Sequence, residues 1–226
     1  MAQAEEPRPK GTARFYYTVV VVLFIAYKLL FRFKVCGSGK IPKSSDKRGL
    51  ILAPNHASYI DPPLLGVAQF RRITYLAKDY LFKHGFVGWV LRGLGAYPIK
   101  SGEGNDFRAI RDLIRLLKEG RCVAVFPEGT RSEDGRFKEP ESGIGFLAMK
   151  SRSYVVPTYI EGSYEAFPKG AKGIKPHKVK IYFGEAFIPA EDERFKTLEE
   201  PYQAVAVEIM ARIAGLKEKY SREKDR

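Results

Sequence analysis

The chain is poor in the residues that build metal and redox centres: it has two cysteines and three histidines among 226 residues. Cys36 and Cys122 lie far apart and form no metal-binding or redox motif. Cys122 falls in an apolar run, so we interpret it as a buried, inert thiol, consistent with a reducing compartment. With His56, His84 and His177 as its imidazoles, a histidine-rich metal cage is not expected, and no metal site is predicted.

Acidic residues are scarce relative to basic ones. The 39 Lys and Arg outnumber the 26 Asp and Glu, giving a formal net charge of +13 at pH 7. This excess suits nucleic acid, an anionic membrane surface, or acidic ligands and carriers. The helical, zinc-binding and aromatic-sheet signatures of nucleic-acid-binding proteins are absent, so nucleic acid is not an expected partner. Hydrophobic residues make up 45% of the chain, enough for a packed core, and the length fits one domain with at most an appendage.

One long apolar run lies near the amino terminus, over residues 15–31. As a helix it would measure about 25 Å, slightly less than the ~30 Å hydrocarbon core of a bilayer. Aromatic and basic residues flank both ends, as in segments anchored at membrane interfaces. A signal peptide is not predicted, because basic residues follow the run and no small-residue cleavage site is present. We predict a membrane-associating helix, either spanning or lying in one leaflet, with a core helix as the alternative.

Beyond this segment, short apolar runs alternate with amphipathic stretches. Strands are predicted at 50–53, 73–77, 95–99, 121–126, 154–160 and 178–183. Pro157 is expected to break the strand at 154–160. Helices are predicted at 62–70, 79–94, from Asn105 to Gly120, at 143–151, and from a capping box at Thr197 onwards. This alternation predicts an α/β fold, with a mostly parallel central sheet flanked by helices.

Two polar loops, 54–61 and 127–132, each follow a predicted buried strand. Because the carboxyl ends of parallel strands meet at one edge of a sheet, we expect both loops to line one crevice. The side chains they offer are His56 and Asp61 in the first loop and Glu128, Thr130 and Arg131 in the second. A general base beside an anion clamp fits a hydroxyl nucleophile that carries a phosphate.

His56 and Asp61 meet only if the loop between them bends. In a regular helix, a spacing of five residues would place their side chains about 140° apart. Asp61 followed by Pro62 is one signal for a bend, since Asp is a good helix N-cap and Pro suits the first helical position. Taken singly, His56 fits a structural histidine, Asp61 an N-cap, and Arg131 a surface ion pair, but together they repeat the arrangement of an active site.

The stretch from Asn55 to Asp61 resembles the first motif of the glycerolipid acyltransferase family, a His, four residues and an Asp. Residues 126–132 resemble the family's third motif in full, and residues 155–157 its proline-containing fourth motif. Residues 95–99 stand where the second motif belongs. The resemblance covers about residues 35 to 190. The short length and the amino-terminal helix are similar to the bacterial 1-acyl-sn-glycerol-3-phosphate acyltransferases of this family.

The second motif departs from the family pattern. It usually ends in an arginine that helps to hold phosphate, and here that position is Ser101, preceded by Lys100. Lys100, Lys78 and Arg108 are the candidates for the missing cation. We favour Lys78, since it follows a strand end where the family often has a lysine; the alternative is a solvated surface lysine.

The resemblance implies that a fatty acyl group passes from an acyl thioester to the 2-hydroxyl of lysophosphatidic acid, making phosphatidic acid in phospholipid biosynthesis. His56 would be the general base and Asp61 would orient it. Arg131 would bind the phosphate, with Lys78 or Lys100 as its companion. The residues expected to shape the substrate pocket are Asn55, Glu128, Gly129 and Thr130. The thioester, acyl carrier protein or coenzyme A, is a co-substrate, and no other cofactor is implied.

The resemblance also implies an organisation and a location. Residues 1–35 would form a tail and a membrane-associating helix, and residues 36–226 the acyltransferase domain. Expected partners are lysophosphatidic acid, the thioester donor and an anionic membrane surface, at the cytoplasmic face of the inner or plasma membrane. Three alternatives stay open: another acceptor such as glycerol-3-phosphate or a different lysophospholipid, a hydrolase using Ser58 with His56, and a non-catalytic lipid-binding protein on the same scaffold.

Overall fold

A seven-stranded sheet organises the computed structural model, which describes residues 13–43, 45–83, 85–99 and 107–222. The strands are β1 (Lys34–Cys36), β2 (Leu50–Pro54), β3 (Ile73–Lys78), β4 (Tyr97–Ile99), β5 (Cys122–Ala124), β6 (Tyr154–Glu161) and β7 (Lys180–Phe183). Their order across the sheet is β1-β7-β6-β2-β5-β3-β4. Strands β6, β2, β5, β3 and β4 run parallel, whereas β7 is antiparallel to β6 and parallel to β1. The predicted α/β fold with a mostly parallel sheet is confirmed.

Helices cover both faces of this sheet. They are α1 (Ala13–Phe31), α2 (Asp61–Gln69), α3 (Gly85–Gly93), α4 (Phe107–Lys118), α5 (Ser142–Ser151), α6 (Ser163–Ala166), α7 (Glu193–Lys196) and α8 (Pro201–Arg222). On β2, Leu50 and Leu52 pack with α1 and α2, while Ile51 and Ala53 pack with α4, α5 and α8. A strand buried on both faces is apolar throughout, which is why β2 is a continuous hydrophobic run.

Helix α1 packs on the domain along one face. Its buried residues are Tyr16, Val20, Tyr27 and Phe31. The Tyr16 hydroxyl donates a hydrogen bond of 2.5 Å to the carbonyl of Arg71, at the entrance to β3. The helix is also long and apolar enough to cross a membrane, and much of its other surface is open; Leu29, for example, is 77% exposed. The predicted apolar helix is present, and most of it lies outside the core.

Strand β1 was not predicted from the sequence. It pairs in parallel with β7, Lys34 opposite Lys180, directly after α1. A strand of three residues is too short to show a periodicity of its own. The domain boundary predicted after residue 35 falls inside β1, and Phe33, fully buried, packs in the same core as β2.

The prediction that Pro157 breaks its strand is wrong, because β6 runs unbroken through it. Pro157 lies opposite Ala53 of β2. On the other side, its carbonyl accepts a hydrogen bond of 2.8 Å from the Gly184 amide, just beyond the last residue of β7. The missing N–H of the proline therefore falls where the β6–β7 ladder ends, and little pairing is lost.

The capping box predicted at Thr197 is also wrong. Thr197 is the C-cap of α7, and α8 begins at Pro201, a residue suited to a first helical turn because that turn leaves its N–H groups unpaired. The predicted buried stripe of α8 is present, with Val205, Ile209, Ile213 and Leu216 in the core.

Other elements differ in their bounds from the predictions. Residues 79–94 divide into a 3-10 helix, Asp79–Lys83, and α3. Strand β5 has three residues, fewer than predicted, and its Cys122 is buried, which raises the pKa of the thiol to about 12, as expected of an inert cysteine. The prediction that Gly120 ends α4 is confirmed, since the helix stops at Lys118 and Gly120 has a left-handed φ of 79°. The predicted cap at Asn105 lies outside the described residues.

Candidate active site

The two polar loops meet at the carboxyl edge of the sheet, because β2 and β5 are neighbouring parallel strands. The Ser132 amide donates to the His56 carbonyl at 2.8 Å, which joins the loops directly. The carboxylate of Glu128 joins them again: Oε1 accepts from the His56 amide at 2.7 Å and Oε2 from the Lys138 amide at 2.9 Å. The two loops, predicted to line one crevice, are thus braced against each other.

His56 and Asp61 are in contact, as the predicted bend requires. His56 Nδ1 lies 3.0 Å from Asp61 Oδ2, which also accepts from the amides of Ala57 at 2.8 Å and Ser58 at 2.7 Å. The buried carboxylate bends the loop by binding the amides three and four residues before it. We assign the Nδ1 proton to this hydrogen bond, since a carboxylate oxygen can only accept; Nε2 is then the basic nitrogen.

The prediction that Asp61 caps α2 is wrong. Ile60 occupies the N-cap position, and the structure shows no side-chain cap bond there. Asp61 is the first residue of the helix, and its Oδ2 points back into the loop instead. Its other oxygen, Oδ1, is buried without a hydrogen-bond partner among the described residues. The negative charge in the first turn still interacts favourably with the helix dipole.

The imidazole of His56 is held on a second side by an aromatic ring. It stacks on Phe126, with ring centroids 3.8 Å apart and an interplanar angle of 23°. The His56 side chain is 15% exposed, and Nε2 has no protein partner in the described part of the chain. The ring is fixed in orientation and still reachable by a ligand.

Glu128 and Asn55, both predicted to shape a substrate pocket, are buried and bound to backbone groups. Burial raises the pKa of Glu128, and the bonds from the His56 and Lys138 amides partly offset that rise. Asn55 binds both the amide and the carbonyl of Ile160, at 2.7 and 3.1 Å, which ties the end of β2 to β6. Their contacts hold the loops in place.

Gly129 and Thr130 lie on the open side of the site. Both are exposed, and Gly129 has a left-handed φ of 65°. The Thr130 hydroxyl accepts a hydrogen bond of 2.7 Å from Lys138 Nζ. This turn leaves the adjacent guanidinium of Arg131 beside the crevice.

Arg131 stacks on an aromatic ring of the opposite loop. Its guanidinium carbon lies 3.6 Å from the ring centroid of Tyr59, a cation–π geometry. Its Nη1 is buried and has no hydrogen-bond partner among the described residues. A buried cationic donor without a partner is costly unless an anion completes it, so this nitrogen marks an anion site.

Of the two candidates for a second phosphate-binding cation, Lys78 and Lys100, the structure describes only Lys78. Lys78 is the last residue of β3, whose carboxyl end lies beside that of β5 on the same edge of the sheet. Lys100 and Ser101 lie outside the described residues. The sheet therefore brings the backbone of Lys78 to the edge that carries His56 and Arg131.

Ser58, the rival nucleophile, is engaged elsewhere. It is fully buried, and its hydroxyl donates a hydrogen bond of 2.6 Å to the carbonyl of Phe167. Its Oγ also accepts from the Ile60 amide at 3.3 Å. His56 faces Asp61 instead, so the pair that a serine hydrolase needs is not assembled.

Sequence reasoning assigned no role to Tyr59 or Phe126, although both stand inside the motifs. Their signal was an aromatic residue next to a polar group in a strand-end loop, and a pattern read along the chain does not show which ring meets which charge. In the described part of the chain, no cluster of three His, Cys, Asp or Glu forms a metal site.

Comparison with known proteins identifies a family. The protein-family model described as Acyltransferase matches residues 32–161, more than half of the chain. A protein named 1-acyl-sn-glycerol-3-phosphate acyltransferase from Bacillus subtilis is 32% identical over 160 residues, 70% of this chain and 75% of that protein. One named 1-acyl-sn-glycerol-3-phosphate acyltransferase LPAT1, chloroplastic, from Arabidopsis thaliana is 30% identical over 148 residues, 65% of this chain.

The chain spans 41% of the length of the Arabidopsis relative and 45% of a Brassica napus relative that bears a similar name. Among solved structures, the crystal structure of the 1-acyl-sn-glycerophosphate (LPA) acyltransferase PlsC from Thermotoga maritima superposes with a TM-score of 0.71 at 28% identity. That match covers 91% of this chain and 79% of the other. Both the sequence and the fold therefore agree with the motifs, and the chain belongs to the acyltransferase family.

Proposed function

We propose that this protein is a 1-acyl-sn-glycerol-3-phosphate acyltransferase, which moves a fatty acyl group from an acyl thioester to the 2-hydroxyl of lysophosphatidic acid. The observation that carries the proposal is the site itself: the loop with the oriented His56–Asp61 pair is hydrogen-bonded to the loop of Arg131, whose buried Nη1 has no hydrogen-bond partner among the described residues. A base and an anion clamp are what a phosphate-bearing alcohol needs. The names of the relatives support the same acceptor.

The proposed reaction is direct transfer, with no acyl-enzyme. His56 Nε2 takes the proton of the acceptor hydroxyl as its oxygen attacks the thioester carbonyl, forming the new C–O bond. Asp61 stabilises the resulting imidazolium through Nδ1. When the tetrahedral intermediate collapses, the C–S bond breaks and His56 returns the proton to the thiolate. The acyl thioester, bound to acyl carrier protein or coenzyme A, is a co-substrate, and no step is assigned to another cofactor.

In this proposal the acceptor phosphate binds to Arg131. The guanidinium carries a permanent charge, and a planar fork suits phosphate oxygens. Lys78 and Lys100 remain the candidates for a second cation, with Lys78 favoured by its place at the carboxyl edge of β3. Glu128 and Asn55 keep the loops in register, and Gly129 and Thr130 form the open wall of the pocket.

We further infer that α1 lies in one leaflet, at the cytoplasmic face of the membrane where thioester donors are made. Tyr16, near its start, and Phe31, at its end, are both buried against the domain. Tyr16 of α1 is hydrogen-bonded to Arg71, just before β3. A spanning orientation of α1 would therefore draw Arg71 and Arg72 into the hydrocarbon core, which is costly for charged groups. The residues left to contact acyl chains are Val21, Val22, Ile25, Leu29 and Leu30.

The decisive assay uses the purified chain with two acceptors and two donors. Lysophosphatidic acid and glycerol-3-phosphate are each offered with acyl carrier protein and coenzyme A thioesters, and released thiol and lipid product are measured. We expect product with lysophosphatidic acid and little with glycerol-3-phosphate. Thiol release without any acceptor would indicate a hydrolase instead, and no turnover with any pair would favour a lipid-binding role.

Tyr59 offers a sharper test of the phosphate clamp. Tyr59→Leu removes the ring beneath Arg131, and a cation–π contact contributes about 1 kcal/mol, so the KM for lysophosphatidic acid should rise about fivefold. Tyr59→Phe keeps the ring and should retain the normal KM. The KM for the acyl donor should stay unchanged in both variants. A Phe variant as impaired as the Leu variant would assign the effect to the hydroxyl, not to stacking on Arg131.

A further inference from the structure

A basic loop, residues 168–178, connects α6 to β7. Its lysines are Lys169, Lys172, Lys175 and Lys178, and all four are exposed. No acidic residue occurs between Glu165 and Glu185. Lys169 is paired with Glu133 at 2.6 Å, which leaves the other three lysines without an ion pair among the described residues. This concentration of positive charge in the loop indicates an anionic partner.

The start of the basic loop is fixed to the active site. The carbonyl of Phe167 accepts bonds from the Ser58 hydroxyl at 2.6 Å and from the Tyr59 amide at 3.3 Å. The rings of Tyr59 and Phe167 pack with centroids 5.1 Å apart. The loop therefore starts beside Tyr59, the ring on which Arg131 stacks.

The end of the basic loop is fixed to the membrane-facing helix. The Val179 amide donates to the Phe31 carbonyl at 2.9 Å, and the Lys34 amide donates to the Val179 carbonyl at 3.1 Å. Arg32, between them, is exposed, as is Lys28 in the last turn of α1. The basic loop therefore ends beside the carboxyl end of α1, where Lys28 and Arg32 add to its positive charge.

The basic loop also presents an apolar residue. Ile174 is 51% exposed between Lys172 and Lys175, and the Lys175 amide is held to the Ala166 carbonyl at 2.8 Å, so the turn has a defined anchor. Lysines around an exposed aliphatic side chain suit the interface of a bilayer, where anionic headgroups lie above the apolar acyl chains.

We propose that the basic loop is a second membrane contact, which binds the anionic headgroups of the bilayer and seats the active-site rim against the lipid surface. This inference rests on the proposed function for its purpose, but its test does not depend on activity. An anionic bilayer is favoured over an acidic carrier protein because the loop is hydrogen-bonded to the end of α1, the apolar helix proposed to enter the membrane, and because it exposes the aliphatic side chain of Ile174.

The test measures partition of the full chain onto vesicles, without substrate. The triple variant Lys172→Gln, Lys175→Gln and Lys178→Gln is compared with the unaltered chain on vesicles of phosphatidylcholine with phosphatidylglycerol. Since a basic residue near an anionic surface contributes about 1 kcal/mol, the partition coefficient should fall on the order of 100-fold. On pure phosphatidylcholine the two proteins should bind equally. Ile174→Ser, which leaves the net charge unchanged, should weaken binding to both kinds of vesicle about tenfold, because it removes an aliphatic group that would enter the bilayer.

A matched control alters charge elsewhere. Lys118, Lys150 and Lys217 are exposed on α4, α5 and α8, on the opposite face of the sheet, and their triple change to Gln gives the same net charge. This control should retain at least a third of the normal partition coefficient, because charges farther from the membrane surface than a Debye length of about 8 Å are largely screened.

Equal losses in the two triple variants would show a general charge effect and overturn the proposal. Unchanged partition of the basic-loop variant would also overturn it. If that variant instead raised the KM for a carrier-protein thioester in detergent, the loop would be a carrier docking site. Absence of acyl transfer by the unaltered chain would contradict the proposed function but leave the vesicle result standing.

Discussion

Replacing His56 by alanine is expected to abolish acyl transfer while the protein stays folded. A positioned general base contributes about 10² to 10⁴ in rate, and here the same imidazole also protonates the leaving thiolate, so kcat should fall at least ~10³-fold. The KM for lysophosphatidic acid should change little, because Arg131 and not His56 holds the phosphate in this mechanism.

The fold should survive because the loop braces use the backbone of His56 rather than its ring. Glu128 accepts from the His56 amide, and Ser132 donates to its carbonyl. The lost contacts are the stacking on Phe126 and the bond to Asp61. Thermal unfolding of the variant should therefore remain cooperative, and circular dichroism should match that of the unaltered protein.

Ser58→Ala separates the direct mechanism from an acyl-enzyme. The Ser58 hydroxyl binds the Phe167 carbonyl and accepts a hydrogen bond from the buried Ile60 amide. Its loss leaves that amide unpaired and should destabilise the fold by about 1–3 kcal/mol, without removing catalysis. Thiol release by Ser58→Ala should stay within a few-fold of normal at a temperature where it is folded. Full activity in His56→Ala, or a loss in Ser58→Ala as deep as that in His56→Ala, would contradict the proposed roles.

Arg131→Ala should raise the KM for lysophosphatidic acid about 100-fold, since hydrogen bonds to a charged group contribute about 1.5–3 kcal/mol and the variant loses both the bonds and the charge. The KM for the acyl donor should change less than twofold, as the thioester does not contact the clamp. Arg131→Lys should recover only part of the loss, because a point charge replaces a planar fork. Initial rates over a grid of both substrates measure the two constants.

The matched control is Arg136→Ala, in the same loop region. Arg136 is exposed, and its ion pair with Asp134 is on the surface, where such pairs contribute little. Its KM values should be unchanged. Equal rises in both KM values for Arg131→Ala would identify a disturbed loop rather than a lost phosphate contact.

Much of the fold followed from patterns along the chain. Continuous apolar runs such as β2 are typical of strands buried on both faces, and their alternation with amphipathic helices predicts a parallel sheet. The pattern predicted β7 as a strand but not its antiparallel direction, and it did not predict β1. Strand direction depends on which partner a strand finds, and three or four residues carry no record of it.

By itself, the sequence determined the family, the α/β architecture, and the two loops that meet at one sheet edge, since spacing and strand-end position are properties of the chain. Only the tertiary structure decided how the polar groups are shared. It turned Asp61 Oδ2 onto two amides and His56, placed Glu128 as a brace, and set Tyr59 under Arg131. Each of these contacts except the first joins residues remote in sequence, and a buried polar atom bonds to whichever group the fold brings within about 3 Å.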